Sequence, residues 1–129
     1  MKKFAGFVLA CMICVSGFGE LTQEQCNGLS AGISWYTEVH AQLNGSYLEV
    51  ADEYQTENAV LDGLRTALQV IQITNADQNT INTMNAVILA QTRIVISIAE
   101  EMDSINEQIM ACEMQMMNLQ AMYSEGCEG

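Results

Sequence analysis

Three cysteines follow the apolar amino terminus of this chain, and their positions bear on disulfide chemistry. Cys112 and Cys127 lie on one predicted helix, where a separation of fifteen residues corresponds to about 22 Å of helical rise. A disulfide needs Cα atoms roughly 4.4–6.8 Å apart, which excludes that pair within a helix. In the hairpin deduced below, Cys26 lies one residue from the level of Cys127. We therefore predict a Cys26–Cys127 disulfide, with three free thiols as the alternative.

Candidate metal ligands lie where the two predicted helices meet, because the hairpin places Cys112 opposite His40. The ordinary interpretation is a small buried thiol beside a polar layer that fixes the register of the helices. The alternatives are a metal pair assisted by the adjacent Glu113, and a thiol that bridges to a second copy. One His and one Cys are an incomplete ligand set for zinc or copper. We predict no cofactor and favour no metal.

Methionines concentrate in the second half of the chain, where six of the nine lie between Met102 and Met122. Met110, Met114 and Met117 form a stripe at helical spacing. Thioethers select soft metals such as Cu(I), so a Met-rich copper-binding module is an alternative function. The commoner use of such a stripe is an adaptable packing surface.

The acidic residues form no recognisable catalytic set. A di-iron helical bundle requires Glu-x-x-His pairs, and this chain has a single histidine. The sequence also shows no nucleophile–base set and no glycine-rich phosphate loop. We predict that the protein is not an enzyme.

The first nineteen residues have the features of a signal peptide. Lys2 and Lys3 precede an apolar stretch, and Gly17 and Gly19 supply the small residues before cleavage after position 19. The apolar stretch is shorter than the roughly 20 residues that span a membrane. A retained membrane anchor and a lipoprotein modified at Cys11 are the alternatives. We expect residues 20–129 to form one exported domain, in the periplasm, outside the cell or on its surface.

The charge of residues 20–129 limits the possible partners. Sixteen acids oppose two arginines, Arg65 and Arg93, which gives a formal charge of 2 − 16 = −14 without any lysine. Nucleic-acid phosphates and anionic lipid surfaces repel such a molecule. The expected partner is therefore a protein or a second copy of the chain.

Apolar spacing predicts two long helices, and no proline interrupts them. Thr22 and Gln25 form a capping box at the start of a helix over about 22–73. A polar turn over about 74–79 follows, with Asp77 or Asn79 capping a second helix over about 80–124. Seam residues, meaning those that recur at steps of three and four, comprise Leu29, Ile33, Tyr36, His40, Leu43, Tyr47, Val50, Tyr54, Glu57, Leu61, Leu64, Leu68 and Ile71. The second helix continues the seam with Ile81, Met84, Ile88, Gln91, Val95, Ile98, Met102, Ile105, Ile109, Cys112, Met116, Leu119 and Tyr123.

The two halves of the seam pair without remainder when the bend falls in the polar turn. The predicted fold is therefore all-α, a long antiparallel two-helix hairpin of coiled-coil type. Two helices of about 50 residues would form a rod about 75 Å long. The triplet Asn44-Gly45-Ser46 is the main contrary signal, because it could kink the first helix or break it into a three-helix bundle. The predicted seam pairs are Leu29–Tyr123, Tyr36–Met116, Leu43–Ile109, Val50–Met102, Leu64–Ile88 and Ile71–Ile81.

Apolar residues outside the seam exceed what two helices can bury, especially near the turn. Such an excess typically marks an oligomer interface, a partner site or a lipid contact. We predict an exported structural or interaction protein that acts by helix–helix packing with itself or a partner. The residues expected around the contact are Tyr54, Leu61, Leu64, Val87, Ile94 and Ile96.

The Gln/Asn-rich segment from Gln78 to Gln91 resembles minor pilins of type IV secretion systems, which are also exported and helical. The resemblance covers about a tenth of the chain. It implies an alternative function, a subunit of a secretion or conjugation surface structure.

Overall fold

The computed structural model describes residues 20–74 and 77–127. Helix α1 spans Gln23–Ile73 and helix α2 spans Gln78–Gly126. The two helices pack against each other as an antiparallel hairpin, and the described residues contain no strand. The predicted all-α two-helix fold is confirmed. The predicted signal peptide, residues 1–19, lies outside the described residues.

Both helices begin at side-chain caps that the sequence predicts. The Gln25 backbone N–H donates to the Thr22 hydroxyl at 3.1 Å, and the Thr22 N–H donates to the Gln25 side-chain oxygen at 2.9 Å. At the start of α2 the Thr80 N–H donates to the Asp77 carboxylate at 2.7 Å. These bonds satisfy backbone donors that have no partner within the first turn of a helix. Asp77, rather than Asn79, is the cap of α2.

Helix α1 continues through Gly45 without a break, so the three-helix alternative is wrong. A Cβ added at Gly45 would meet nothing within 4 Å, which shows that no close contact requires a glycine there. Helix propensity alone disfavours glycine, and tertiary packing of the seam on both sides overrides a cost of about 1 kcal/mol. Helix α2 also begins two residues earlier than predicted and ends two residues later.

The chain divides into two compact units, each of which contains a segment of both helices. Unit 1 comprises residues up to Asn44 and from Glu107 onward, and unit 2 comprises Gly45–Asn106. The core of unit 1 is formed by Leu29, Tyr36, Cys112 and Leu119, of which Leu29 and Leu119 are fully buried. Buried seam residues also hold unit 2 together, namely Val50, Leu61, Val95, Ile98 and the polar Gln91.

Cys26 and Cys127 form a disulfide within unit 1, with their Cα atoms 5.8 Å apart. The predicted pairing is therefore seen. Cys127 directly follows α2 and continues its hydrogen-bond pattern, because the Cys127 N–H donates to the Tyr123 carbonyl at 2.8 Å. Leu21 packs so closely on Gly126 that an added Cβ would lie 2.7 Å from the leucine Cγ. A larger residue at position 126 would therefore displace the Leu21 side chain.

Candidate interaction surface

Unit 2 exposes large apolar side chains that its own two helices do not cover. Val60, Val87 and Ile94 are 44–46% exposed, and Leu89 and Ile96 are each 53% exposed. A single exposed apolar residue is ordinary in a soluble protein, but a cluster of them on neighbouring turns typically marks an interface. The other exposed large apolar residues of unit 2 are Leu48, Val70 and Ile73.

The heptad positions of these exposed residues, counted from the seam, separate several of them into two groups. Val60, Val87 and Ile94 each come immediately before a seam residue, at Leu61, Ile88 and Val95 respectively. In an antiparallel helix pair, residues at this heptad position on both helices lie along the same side of the seam. We call this side, with Val60, Ala67, Val87 and Ile94, the apolar flank. Leu89 and Ile96 lie instead on the outer surface of α2.

The other side of the seam in unit 2 is polar. Four positions on that side, those that directly follow Glu57, Leu64, Met84 and Gln91, carry polar residues: Asn58, Arg65, Asn85 and Thr92. Arg65 approaches Asp62 of its own helix at 3.9 Å, a loose and exposed ion pair that contributes little stability. Unit 2 therefore has one apolar side and one mainly polar side.

A depression of about 360 Å³ adjoins the apolar flank next to the turn. Leu64, Met84 and Val87 contribute apolar surface to it, and Thr80 and Thr83 contribute polar surface. Because Val87 belongs both to the depression and to the apolar flank, the two form one continuous surface within unit 2.

Charge is distributed unevenly along the sequence of unit 2. Between residues 58 and 99, Arg65 and Arg93 balance Asp62 and Asp77, so this stretch has no net charge. The remainder of unit 2 carries seven acids and no cation: Glu49, Asp52, Glu53, Glu57, Glu100, Glu101 and Asp103. The apolar flank thus lies in the longest stretch of residues 20–129 that has no net charge.

Glu57 and Gln91, the polar residues of the unit 2 seam, bond to each other. The Gln91 side-chain amide donates to the Glu57 carboxylate at 2.7 Å and to the Glu57 backbone carbonyl at 2.9 Å. The predicted register places Glu57 opposite Val95, so the observed partner is one helical turn away. A partly buried bond of this type fixes the levels of the two helices, because any slip would leave polar atoms without partners.

One described helix, α2, is long and apolar enough to cross a membrane by length and composition, and 11% of its most apolar stretch is buried. The facing part of α1 is unsuitable for a lipid interior. It carries Glu57, Asp62 and Arg65, and charged groups at the centre of a bilayer cost about 2.5–3.5 kcal/mol each on insertion scales.

Unit 1 contains an apolar groove of about 330 Å³ beside its seam, and Val39 is one of the residues that line it. Trp35, Leu43 and Ala111 line it together with Cys112. The Cys112 thiol is buried and donates to the Tyr36 backbone carbonyl at 3.2 Å. Burial, aided by the Glu113 carboxylate, raises the pKa of Cys112 above its ordinary value. A thiol in this state is a poor nucleophile and a poor metal ligand.

His40 bonds to the residue that follows Cys112, and not to the Cys112 thiol. Its Nε2 lies 2.9 Å from a Glu113 carboxylate oxygen, and its Nδ1 lies 3.2 Å from the Asn44 side-chain nitrogen. With the ring proton on Nε2, the neutral imidazole accepts from Asn44 and donates to Glu113. The described residues contain no group of three His, Cys, Asp or Glu side chains placed to hold a metal.

The other residues that the sequence predicts for a contact or a metal site differ in their solvent exposure. Leu61 is 3% exposed and belongs to the interior of the hairpin, so it lies beneath the predicted contact region and not on its surface. Tyr54 and Leu64 are half-buried, whereas Val87, Ile94 and Ile96 are exposed as a contact surface requires. Met110, Met114 and Met117 are 58–68% exposed and lie on the outer surface of α2 in unit 1.

The comparisons with known proteins give no relative: no protein-family model, curated protein or solved structure matches the chain.

Proposed function

We propose that this chain is an exported structural protein that acts by docking helices of itself or of a protein partner onto unit 2. The observation that carries the proposal is the apolar flank, three half-exposed aliphatic side chains on one side of a net-neutral stretch. Burying such side chains against another helix is favourable by about 25 cal/mol per Å² of apolar surface.

The thin core of the hairpin supports the same conclusion. Among the described residues, nine hydrophobic side chains are buried, while eleven large ones remain exposed. Two helices cannot enclose an apolar arc this wide, and helical bundles solve the problem by adding further helices. A protein that keeps such a surface and a strongly acidic remainder stays soluble while it offers one docking site.

Export is part of the proposal and is supported by two features. The amino-terminal residues have the order of a signal peptide, with a basic start, an apolar stretch and small residues before position 20. The Cys26–Cys127 disulfide is the kind of bond that persists in oxidising compartments. The mature protein should therefore begin at Glu20.

Two more specific roles fit within or beside this proposal. A pilin-like subunit of a secretion or conjugation surface structure would use the same helix docking, and the Gln/Asn-rich start of α2 favours it. A copper module would use the exposed methionine stripe, with Met114 and Met117 accessible to Cu(I). Competition with a Cu(I) chelator tests the second role, since a module of this kind must withdraw copper from the chelator.

Photo-crosslinking in the cell that produces the protein tests the proposal. A photoreactive amino acid replaces Val87 on the apolar flank, and a control variant carries it at the exposed Asn85 on the polar side, two residues away. We expect a protein adduct from position 87 and a much weaker one from position 85. The absence of a protein adduct from position 87, or adducts of equal yield from both positions, would contradict the proposal.

A further inference from the structure

We propose that the apolar flank of unit 2 receives an amphipathic helix of a different protein, one whose apolar stripe is followed by lysine or arginine. The inference names the class of partner for the proposed function and rests on it. Its basis is the order of apolar and acidic side chains along the two helices, together with the positions of the two arginines.

The two helices present the same order of side chains on the flank side of the seam, in the direction away from the turn. On each helix two apolar residues are followed by a glutamate, at intervals of seven: Ala67, Val60 and Glu53 on α1, and Val87, Ile94 and Glu101 on α2. Residues seven apart in a heptad pattern lie on the same side of a helix pair. The flank therefore passes on both helices from apolar side chains to a carboxylate.

The bond between Glu57 and Gln91 ties the levels of the two glutamates together. Counted from this bond, Glu53 lies four residues away from the turn on α1, and Glu101 lies ten residues away from the turn on α2. At 1.5 Å per residue, the two positions differ by about 9 Å along the hairpin. Both glutamates are exposed. We call this pair the acidic end of the flank.

The two cations of residues 20–129 do not lie on the flank side of the seam. Arg65 is on the polar side, where it approaches Asp62 at 3.9 Å. Arg93 comes two residues before the seam residue Val95, which places it on the outer surface of α2. The acidic end therefore keeps its negative charge, and a lysine or arginine of an incoming helix meets a favourable potential there.

The other end of the flank, next to the turn, carries one carboxylate whose charge is partly offset. Asp77 lines the depression that adjoins Val87, and its carboxylate accepts the Thr80 N–H at 2.7 Å. The first turn of a helix carries partial positive charge, which compensates a carboxylate held there. The stronger attraction for a cation is therefore at the acidic end. This difference sets the order of residues in the partner, apolar over the flank and then basic.

A second copy of the chain does not have this chemistry. Docked flank to flank, it brings Glu53 and Glu101 to the acidic end of the first copy in one direction, and Asp77 in the other, without a cation in either. Like charges placed together at an interface repel each other. A basic amphipathic helix instead lays its apolar stripe on the flank and its cations on the carboxylates, and helix-in-groove binding is a recurring mode of peptide recognition.

Binding of synthetic peptides to the disulfide-bonded protein, residues 20–129, tests the inference. The probe is a peptide of about 18 residues, long enough as a helix to span from Val87 to Glu101. One half has leucines on one face, and the other half has lysines on the same face; two versions with the halves exchanged cover both directions of docking. A counterpart of each version has glutamate in place of lysine. By fluorescence anisotropy, we expect the better lysine version to bind at least about 10-fold more tightly than its glutamate counterpart, with an affinity that decreases as salt is added.

A matched pair of charge variants locates the lysine contact. E53Q/E101Q removes the acidic end, whereas D52N/E100Q removes two charges one residue away, on the outer surfaces of the same helices. Affinity for the lysine peptide should fall at least about fivefold in E53Q/E101Q, as for two partly exposed ion pairs, and less than about twofold in D52N/E100Q. Equal effects of the two variants, equal affinities of the lysine and glutamate peptides, or no binding at up to about 1 mM peptide would overturn the inference.

A matched pair of apolar variants shows whether the peptide lies on the flank. V87S/I94S shortens two flank residues, and L89S/I96S shortens two residues on the outer surface of the same helix. All four side chains are exposed, so both variants should keep the hairpin, which circular dichroism checks. Affinity should fall at least about 30-fold in V87S/I94S and less than about threefold in L89S/I96S. Equal losses would overturn the inference, because the peptide would then bind outside the flank.

Failure of this inference is distinguishable from failure of the proposed function. The photoreactive residue at position 87 reports docking in the cell, and the yield of its adduct is compared with and without E53Q/E101Q. A lower yield in E53Q/E101Q supports a basic partner. An unchanged yield with another protein, or an adduct with a second copy, refutes the basic partner and leaves the docking function in place. The absence of any protein adduct contradicts the proposed function and the inference with it.

Discussion

Removal of the disulfide between Cys26 and Cys127 should lower the free energy of unfolding by about 4.7 kcal/mol. The bond closes a loop of 101 residues, and in the chain-entropy model a loop of about 100 residues gives that value at 25 °C. The effect operates on the unfolded chain, which gains conformational freedom when the link is cut. For a domain of this size the loss corresponds to a decrease in Tm of about 20 °C.

Urea unfolding followed by circular dichroism measures this loss in the variant C26A/C127A at a fixed protein concentration. The variant C112A is the control, because it removes the free thiol and leaves the disulfide in place. The slope of the free energy against urea should also increase in C26A/C127A, since an unlinked chain exposes more surface when it unfolds. A loss below about 1 kcal/mol with an unchanged slope would refute the reasoning, because it would mean that the link does not restrict the unfolded state.

Three further predictions concern the interior of the hairpin. Replacement of Leu119, which is 1% exposed, by alanine should cost about 3–5 kcal/mol by urea unfolding, whereas the same change at Leu48, 69% exposed, should cost little. Gln91→Leu should lose about 1–3 kcal/mol because the Glu57 carboxylate loses its donor, and the double variant with Glu57→Leu should recover part of that loss; a purely additive cycle would contradict the coupling. The raised pKa of Cys112 means that this thiol stabilises the fold below the pKa of an unfolded cysteine, about 8.5, and that the contribution is lost as the pH rises further. Wild-type stability should therefore fall relative to that of C112A above about pH 9, and iodoacetamide should alkylate the native thiol more slowly than the unfolded one; equal alkylation rates would contradict the burial.

Local signals in the sequence were sufficient for the elements and their ends. The seam spacing, the lack of proline and the capping groups at Thr22 and Asp77 each depend on residues within a few positions of one another, and the structure has helices at the expected places. The polar turn also limited the possible registers. Because helix spacing and the position of the bend together fix which residues face each other, the Cys26–Cys127 pairing followed from the sequence as well.

Details of the contact between the helices depended on side-chain geometry that the spacing does not contain. A residue such as Cys112 can meet seam residues one turn up or down the opposite helix. The structure places its thiol on the Tyr36 carbonyl, while His40 bonds to Glu113. For the same reason the spacing does not predict the bond from Gln91 to Glu57, although these two residues are polar exceptions in the seam of unit 2.

The exposed surface was the part of the candidate site that the sequence predicted least well. Apolar side chains at a seam position and beside the seam are of the same residue types, so the sequence groups Leu61 with Val87 and Ile94, whereas their burial differs. The sequence by itself determined two capped helices, their antiparallel pairing and an acidic exterior, because short-range periodicity and charge specify these properties. Only the tertiary structure decided which apolar residues the two helices cover and which they leave exposed, because burial depends on atoms that are distant in the chain.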